Sequence, residues 1–238
     1  MATVLLVRHG RTTANASGVL AGRLPGIRLD ERGQEQVRAA AERIGAVPLA
    51  RLVTSPQERC KQTAKAVVDA QATRLRAATE RGIAECDYGE WQGRPLRELA
   101  KEKLWATVQR QPSAAVFPGG ESMVAMWHRA VDAVRRQDAA VEAEHGPGAV
   151  WVAVSHGDVI KAVLADALGM HLDLFQRINV DPASISVVQY TADRPYVLAT
   201  NTQAGDLSWL NRPAAKRARR KGAAVGGGSG PEPVTEGS

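Results

Sequence analysis

Apolar residues fall along the chain in short unbroken runs separated by amphipathic stretches. Val4-Leu5-Leu6-Val7, Leu52-Val53 and Val150-Trp151-Val152-Ala153-Val154 are continuous rather than alternating. Such runs predict strands buried on both faces, as in a parallel sheet covered by helices. Ile185 to Tyr190 and Tyr196 to Ala199 predict two further strands, linked as a hairpin through Asp193-Arg194-Pro195. The stretches between carry helical periodicity. After Asp30, the expected N-cap, Val37, Ala40, Ala41 and Ile44 share one side while Glu31, Arg32, Glu35, Arg38 and Glu42 share the other. Ser55-Pro56-Gln57-Glu58 reads as a serine cap, a proline at the first helical position and a glutamate three residues after the cap. A helical patch is expected around Leu99 to Val108. The longest helix is expected from about Ser122 to His145, with Val124, Trp127, Val131 and Val134 as its buried stripe, and another carries Val159, Ile160, Val163, Leu164 and Leu168. The pattern predicts an α/β fold of three layers, α/β/α, around a mostly parallel sheet.

The polar residues that interrupt this pattern are not scattered. The first strand ends in Arg8-His9-Gly10, the third apolar run ends in Ser155-His156-Gly157, and Arg59 falls in the first turn of the helix after Leu52-Val53. Ligands of open α/β sheets bind at the carboxyl ends of the strands, and adjacent parallel strands would bring His9, Arg59 and His156 to one edge. Gly82 to Gly93 differs in kind. Its two aromatics, three acids and glycines follow neither a helical nor a strand period, and it reads as a shaped functional loop.

Composition narrows the class. The 238 residues, 44% hydrophobic and 24% charged, are enough for one sizeable soluble domain. No apolar run reaches the ~20 residues of a membrane span, and the first residues lack a signal-peptide pattern, so a cytoplasmic location is expected. Cys60 and Cys86 cannot build a disulfide framework or a zinc site, and are read as free thiols packed as small apolar groups. The net charge is +6, of which residues 213–238 carry +3: five cations, Lys216, Arg217, Arg219, Arg220 and Lys221, against the two acids Glu232 and Glu236. The expected organisation is a domain over residues 1–212 and a basic, then glycine-rich, disordered tail over 213–238. That tail is the one feature that would suit nucleic acid or another acidic partner.

Two arginines and two histidines around a glycine-edged pocket suit a compact anion, and arginine's planar fork suits phosphate oxygens. There is no P-loop pattern, no carboxylate cluster for magnesium and no Cys/His metal spacing. No metal or cofactor is expected, the arginines taking over charge neutralisation.

On these motifs the chain resembles the histidine phosphatase superfamily, the phosphoglycerate mutase-like proteins, over most of residues 3 to 200. Arg8-His9-Gly10 with Thr12 and Asn15, Ser55 to Ala64 with Arg59, Glu85 with Gly89, Trp91 and Gly93, and Ser155-His156-Gly157 match its motifs in order. The resemblance implies a phosphoglycerate mutase-like fold. It implies that His9 is the nucleophile that becomes phosphorylated, that Arg8, Arg59 and His156 bind the phosphoryl group with help from Asn15, and that Glu85 is the proton donor. The Gly157 amide would assist at the helix start, and Asp87 and Glu90 compete with Glu85 for the acid role. Arg11 stands where the family commonly has Glu or Gln, and is expected to add a cation at the pocket mouth.

The implied activity is a metal-independent phosphomonoesterase acting through phosphohistidine on a small phosphorylated metabolite. A cofactor-dependent phosphoglycerate mutase stays open: Arg94 to Gly120 lacks the paired-arginine, multi-proline segment of such mutases, whereas Tyr88 matches a mutase-like acid loop. A catalytically weak phospho-ligand binding protein is the third reading. Specificity is assigned to Arg94 to Trp127; the sequence leaves the substrate and any homo-oligomer unassigned.

Overall fold

The structure is a computed structural model and describes residues 2–204. The tail assigned to 213–238 lies outside the described residues. The chain runs β1 (Thr3–Arg8), α1 (Thr13–Ser17), α2 (Glu31–Gly45), β2 (Arg51–Thr54), α3 (Glu58–Asp69), β3 (Ala77–Thr79), α4 (Leu96–Leu99), α5 (Lys103–Arg110), α6 (Met123–His145), β4 (Val150–Ser155), α7 (Gly157–Ala167), β5 (Ile185–Tyr190) and β6 (Pro195–Thr202), with short 3₁₀ turns between. One six-stranded sheet has the order β3-β2-β4-β1-β5-β6. β1, β4, β2 and β3 are parallel, and the β5–β6 hairpin joins β1 antiparallel.

The continuous apolar runs are explained by burial on both faces. Successive strand residues point to opposite sides, so Val4, Leu6, Trp151 and Ala153 pack in one core beneath α6 and α7, while Leu5, Val7, Val152 and Val154 pack in the other against α2 and α3. Full burial of each valine or leucine among them stabilises by about 1.5–3 kcal/mol. Register then places the chemistry. Arg8 pairs with Ser155, His9 N–H donates to the Ser155 carbonyl (3.0 Å), and Ser55 N–H donates to the Val154 carbonyl (2.9 Å). The three strand ends are thereby level.

Several local expectations are corrected. α3 begins at Glu58 with Gln57 at the cap, and no side chain caps it. Ser55 stays in the extended segment after β2, and its hydroxyl bonds across the sheet to His156. α6 starts as expected, with Ser122 Oγ accepting the Ala125 N–H, but its buried face is Met123, Met126, Ala130, Ala133, Val134 and Val141. Val124, Trp127 and Val131 are only partly buried, because that helix face is rotated by about one residue from the one the spacing suggested. α1 and β3 were not predicted: all three side chains of β3 are exposed, so it exists through pairing with β2 alone. No helix among the described residues is long and apolar enough to cross a membrane.

Candidate active site

His9 and His156 leave neighbouring strands side by side, their ring centroids 5.2 Å apart at 64°. Both are almost fully buried, 3% and 0% exposed. His9 Nδ1 lies 2.7 Å from the Gly10 carbonyl. A carbonyl only accepts, so Nδ1 carries the hydrogen and Nε2 keeps its lone pair. That lone pair receives Arg59 Nε–H at 3.2 Å. Burial first, then the charges of Arg59 and Arg8, hold the His9 pKa well below the ordinary imidazole value. His9 is therefore a neutral, oriented base.

Gly10 is fixed by packing. A Cβ there would stand 2.5 Å from the Gly33 carbonyl oxygen and 2.7 Å from Val37 Cγ2. The loop after β1 consequently lies directly on α2.

Arg59, 2% exposed, is brought in by the first turn of α3. Its Nη2 donates to the Gly22 carbonyl (2.8 Å) and to His156 Nδ1 (3.1 Å), and lies 3.9 Å from Glu85 Oε2. Its Nη1 is buried with no hydrogen-bond partner. A buried donor left unpaired costs about 1–3 kcal/mol, a cost that a bound anion would remove. Arg8, 1% exposed, donates from Nη1 to the Val180 carbonyl (2.7 Å), with Asp181 close enough to stabilise its charge.

The far edge of the His156 ring is held by Ser55. Ser55 Oγ lies 2.7 Å and Gln57 Oε1 3.1 Å from His156 Nε2, and Ser55 donates in turn to Gln57 Oε1. With the amide oxygen accepting, Nε2 carries hydrogen and Nδ1 faces Arg59. Burial, followed by the Arg59 charge, lowers the His156 pKa well below its ordinary value. Gly157 opens α7 directly beyond.

Glu85, 3% exposed, comes from the loop between the 3₁₀ turns Arg81–Ile83 and Gly89–Trp91. Its Oε2 is 3.6 Å from His156 Nδ1, and its Oε1 accepts the Cys86 N–H at 3.0 Å. Burial, opposed by Arg59 and reinforced by Asp158, pushes its pKa up to about 7. Burial already raises it without a bound phosphate. The other two acids of this loop do not share its place: Asp87 is about one-third exposed beside Arg23, and Glu90 is exposed.

Asn15 sits in α1, its Oδ1 accepting both the Thr12 N–H (3.1 Å) and the Thr12 hydroxyl (2.9 Å). This capping box sets which end of the amide faces Thr12. Arg11 does not bring an uncompensated charge to the mouth, because its Nε pairs with Asp30 Oδ2 at 2.7 Å. Tyr88 is fully buried, with its hydroxyl on Asp158 Oδ2 (2.8 Å) and its ring edge-on to Phe117. Its place in the acid loop follows from packing. Asp158 also meets Lys161 Nζ at 3.5 Å in a wholly buried pair. Cys60 and Cys86 are buried, and burial pushes the Cys60 thiol up to about 12 and Cys86 well above its ordinary value, as suits apolar filler rather than reactive thiolate.

Sequence reasoning missed four residues around the site: Ser55 as a histidine partner, and Arg23, Glu121 and Arg129 around Glu85. The Pro118-Gly119-Gly120 turn before Glu121 was the available signal.

The chain is similar over most of its length to known proteins. The chain is 29% identical over 226 residues to "Probable phosphoglycerate mutase GpmB" of Yersinia enterocolitica, covering 92% of this chain and all of that one. It is 29% identical over 206 residues to "Phosphoserine phosphatase 1" of Hydrogenobacter thermophilus, covering 84% and 92%. Mycobacterial glucosyl-3-phosphoglycerate phosphatase complexed with VO3 superposes with a TM-score of 0.76 at 25% identity, over 84% of this chain and 99% of that one. A putative alpha-ribazole-5'-P phosphatase of Escherichia coli gives 0.74 at 24% identity, over 86% and 98%. The profile of the histidine phosphatase superfamily (branch 1) spans residues 4–203, from the first residues of β1 to the end of β6, and the chain belongs to that superfamily.

Proposed function

We propose that this protein is a phosphomonoesterase that works through a phosphohistidine on a small phosphorylated metabolite. The observation that carries the reading is the state of His9: a buried neutral imidazole with Nδ1–H on the Gly10 carbonyl and the Nε2 lone pair beside Arg59. In this reading Nε2 attacks phosphorus in line, and the bond from phosphorus to the leaving oxygen breaks. Charge spreads over the equatorial oxygens, which Arg8, Arg59 with its unpartnered Nη1, the Gly157 amide and the amide of Asn15 hold. A phosphate dianion draws a proton to His156 Nδ1, making that ring a donor as well. Glu85 gives its proton to the leaving oxygen, then as carboxylate takes one from the water that attacks phosphohistidine, which releases phosphate and restores His9.

A pKa of about 7 suits Glu85 to both halves of that cycle. Relatives named for phosphoserine, alpha-ribazole and glucosyl-3-phosphoglycerate phosphatase activities support a small phosphorylated substrate. The likeness to GpmB keeps phosphoglycerate mutase as the second reading.

The test is phosphate release from an aryl phosphate by wild type and His9→Ala in the presence of a chelator, with a 3-phosphoglycerate mutase assay alongside. Chelator-resistant release that disappears in His9→Ala is expected. Mutase activity without phosphate release would reverse the choice of enzyme, and equal release by His9→Ala would overturn the phosphohistidine.

A further inference from the structure

Beneath Glu85 lies a cluster of charges that the proposed chemistry does not use. Glu121 follows the turn at 118–120, and Arg129 stands two helical turns further on in α6. The turn is pressed against the acid loop. Gly89 N–H and its neighbours leave no room there: a Cβ on Gly89 would lie 2.1 Å from the Pro118 carbonyl oxygen, and one on Gly120 would lie 2.2 Å from that of Asp87. Glu90 N–H donates to Pro118 O and Glu121 N–H to Asp87 O, both at 2.9 Å. Only glycine permits two backbones to come this close.

Two guanidinium groups converge on one atom, the Glu85 carbonyl oxygen: Arg23 Nε at 2.8 Å and Arg129 Nη2 at 3.0 Å. Both lone pairs of that carbonyl are thereby occupied. Two cations so close would repel, and Glu121 is the anion between them. It takes Arg129 as a fork, Nε at 2.9 Å and Nη2 at 2.5 Å, and Arg23 Nη2 at 2.9 Å, and it also accepts the Asp87 N–H at 2.8 Å. Arg129 Nη1 reaches the carbonyls of Gly82 (2.7 Å) and Ala84 (2.8 Å). Neither Glu121 nor Arg129 hydrogen-bonds His9 or His156, and the Glu85 carboxyl points the other way, toward His156 and Arg59. Arg23 also follows Gly22, whose carbonyl holds Arg59 Nη2. One node thus ties the backbone of the acid loop to the loop that orients the phosphate clamp.

We infer that Glu121, acting through Arg129 and Arg23, is the positioning residue that sets the proton donor Glu85 against the leaving group. The inference rests on the reading of Glu85 as the acid. A proton donor is effective only within hydrogen-bond reach of the leaving oxygen, so a small shift of its backbone is felt in catalysis. The effect has a signature. Leaving-group protonation matters for an alkyl phosphate, whose alkoxide is a poor leaving group, and little for p-nitrophenyl phosphate, whose phenolate departs unaided.

The experiment measures kcat/KM for glycerol 3-phosphate or phosphoserine, whichever wild type hydrolyses faster, and for p-nitrophenyl phosphate, in wild type, Glu85→Gln, Glu121→Gln, Arg129→Lys and Arg23→Lys. Glu121→Gln is expected to lose about 100-fold on the alkyl ester and less than about 5-fold on the nitrophenyl ester, in the same sense as Glu85→Gln. Equal losses on both esters would reduce Glu121 to a structural role and overturn the inference, as would no loss on either. If Glu121→Gln does not fold, as judged by circular dichroism, the same selective loss in Arg23→Lys and Arg129→Lys is required. Glu85→Gln without selective loss would overturn the assignment of Glu85 and this inference with it; selective loss there alone would overturn this inference only.

Discussion

The Ser55 hydroxyl lies 2.7 Å from Nε2 of His156, on the edge of the ring opposite the one that meets Arg59. The pair joins the ends of β2 and β4, which are neighbours in the sheet. Together with the Gln57 amide oxygen, which can only accept, it holds the hydrogen on Nε2 and leaves Nδ1 turned toward Arg59 and Glu85.

Removing that hydroxyl tests the point. Ser55→Ala leaves a buried imidazole N–H with Gln57 alone, a loss of one hydrogen bond that costs about 0.5–1.5 kcal/mol in stability by chemical denaturation. Substrate hydrolysis should fall by about 10-fold or more as the ring loses its fixed orientation. Unchanged kinetics in a destabilised variant would make Ser55 purely a packing residue.

The pH profile follows from the two perturbed groups. His9 must be neutral, and its pKa is held well below the ordinary value, so the acid limb lies well below pH 6.5. Glu85 must be protonated to serve as acid, and its pKa is about 7, so kcat/KM for an alkyl phosphate falls as pH rises through about 7. In Glu85→Gln the residual activity should lose this alkaline limb. A limb that persists in the variant would belong to another group.

Stability should carry the same signs. His9 and His156 are buried neutral, with pKa values depressed in the folded state, so the unfolded chain binds more protons below about pH 6.5. Their contribution is fully present above that value and is lost as pH falls toward the folded-state pKa. His156→Asn should flatten the fall of Tm between pH 6.5 and 5, at about 1.36 kcal/mol for each unit of depression removed. A slope as steep as in wild type would show that the acid sensitivity arises elsewhere.

Gly33 predicts a reversal of an ordinary rule. Within helices alanine is about 1 kcal/mol better than glycine. A Cβ on Gly33 would lie 2.0 Å from the Arg11 carbonyl oxygen, so Gly33→Ala must displace the loop after β1. Thermal denaturation should show a loss of about 1–3 kcal/mol, with reduced turnover because Gly10 packs on the same helix. A stabilised, fully active variant would contradict this close contact.

The buried Asp158–Lys161 pair predicts an asymmetric response. Lys161→Met removes the ammonium that meets Asp158 and should destabilise more than Tyr88→Phe, which removes one hydrogen bond and costs about 1–3 kcal/mol. Equal losses by denaturant titration would contradict a buried ionised pair.

Much of this was legible in the chain itself. Val4 to Val7 and Val150 to Val154 are apolar without alternation because both faces of the strand are covered, and a histidine followed by glycine where such a run stops marks the sheet edge that binds ligands. Those signals are local: burial and backbone freedom leave their mark at the residue concerned. The partners did not. Ser55 read as a helix cap because capping is a local competition, and the winning partner, His156, is 101 residues away across a strand pairing. Arg11 read as a free cation until α2 supplied Asp30, β3 has no apolar pattern because only its backbone pairs, and Glu121, Arg129 and Arg23 meet Glu85 from three separate segments. The sequence by itself determined which apolar runs form the buried strands and where those strands deliver chemistry. Tertiary structure alone decided which polar groups satisfy one another, because a hydrogen bond depends on positions set by strand order and helix packing, to within fractions of an ångström.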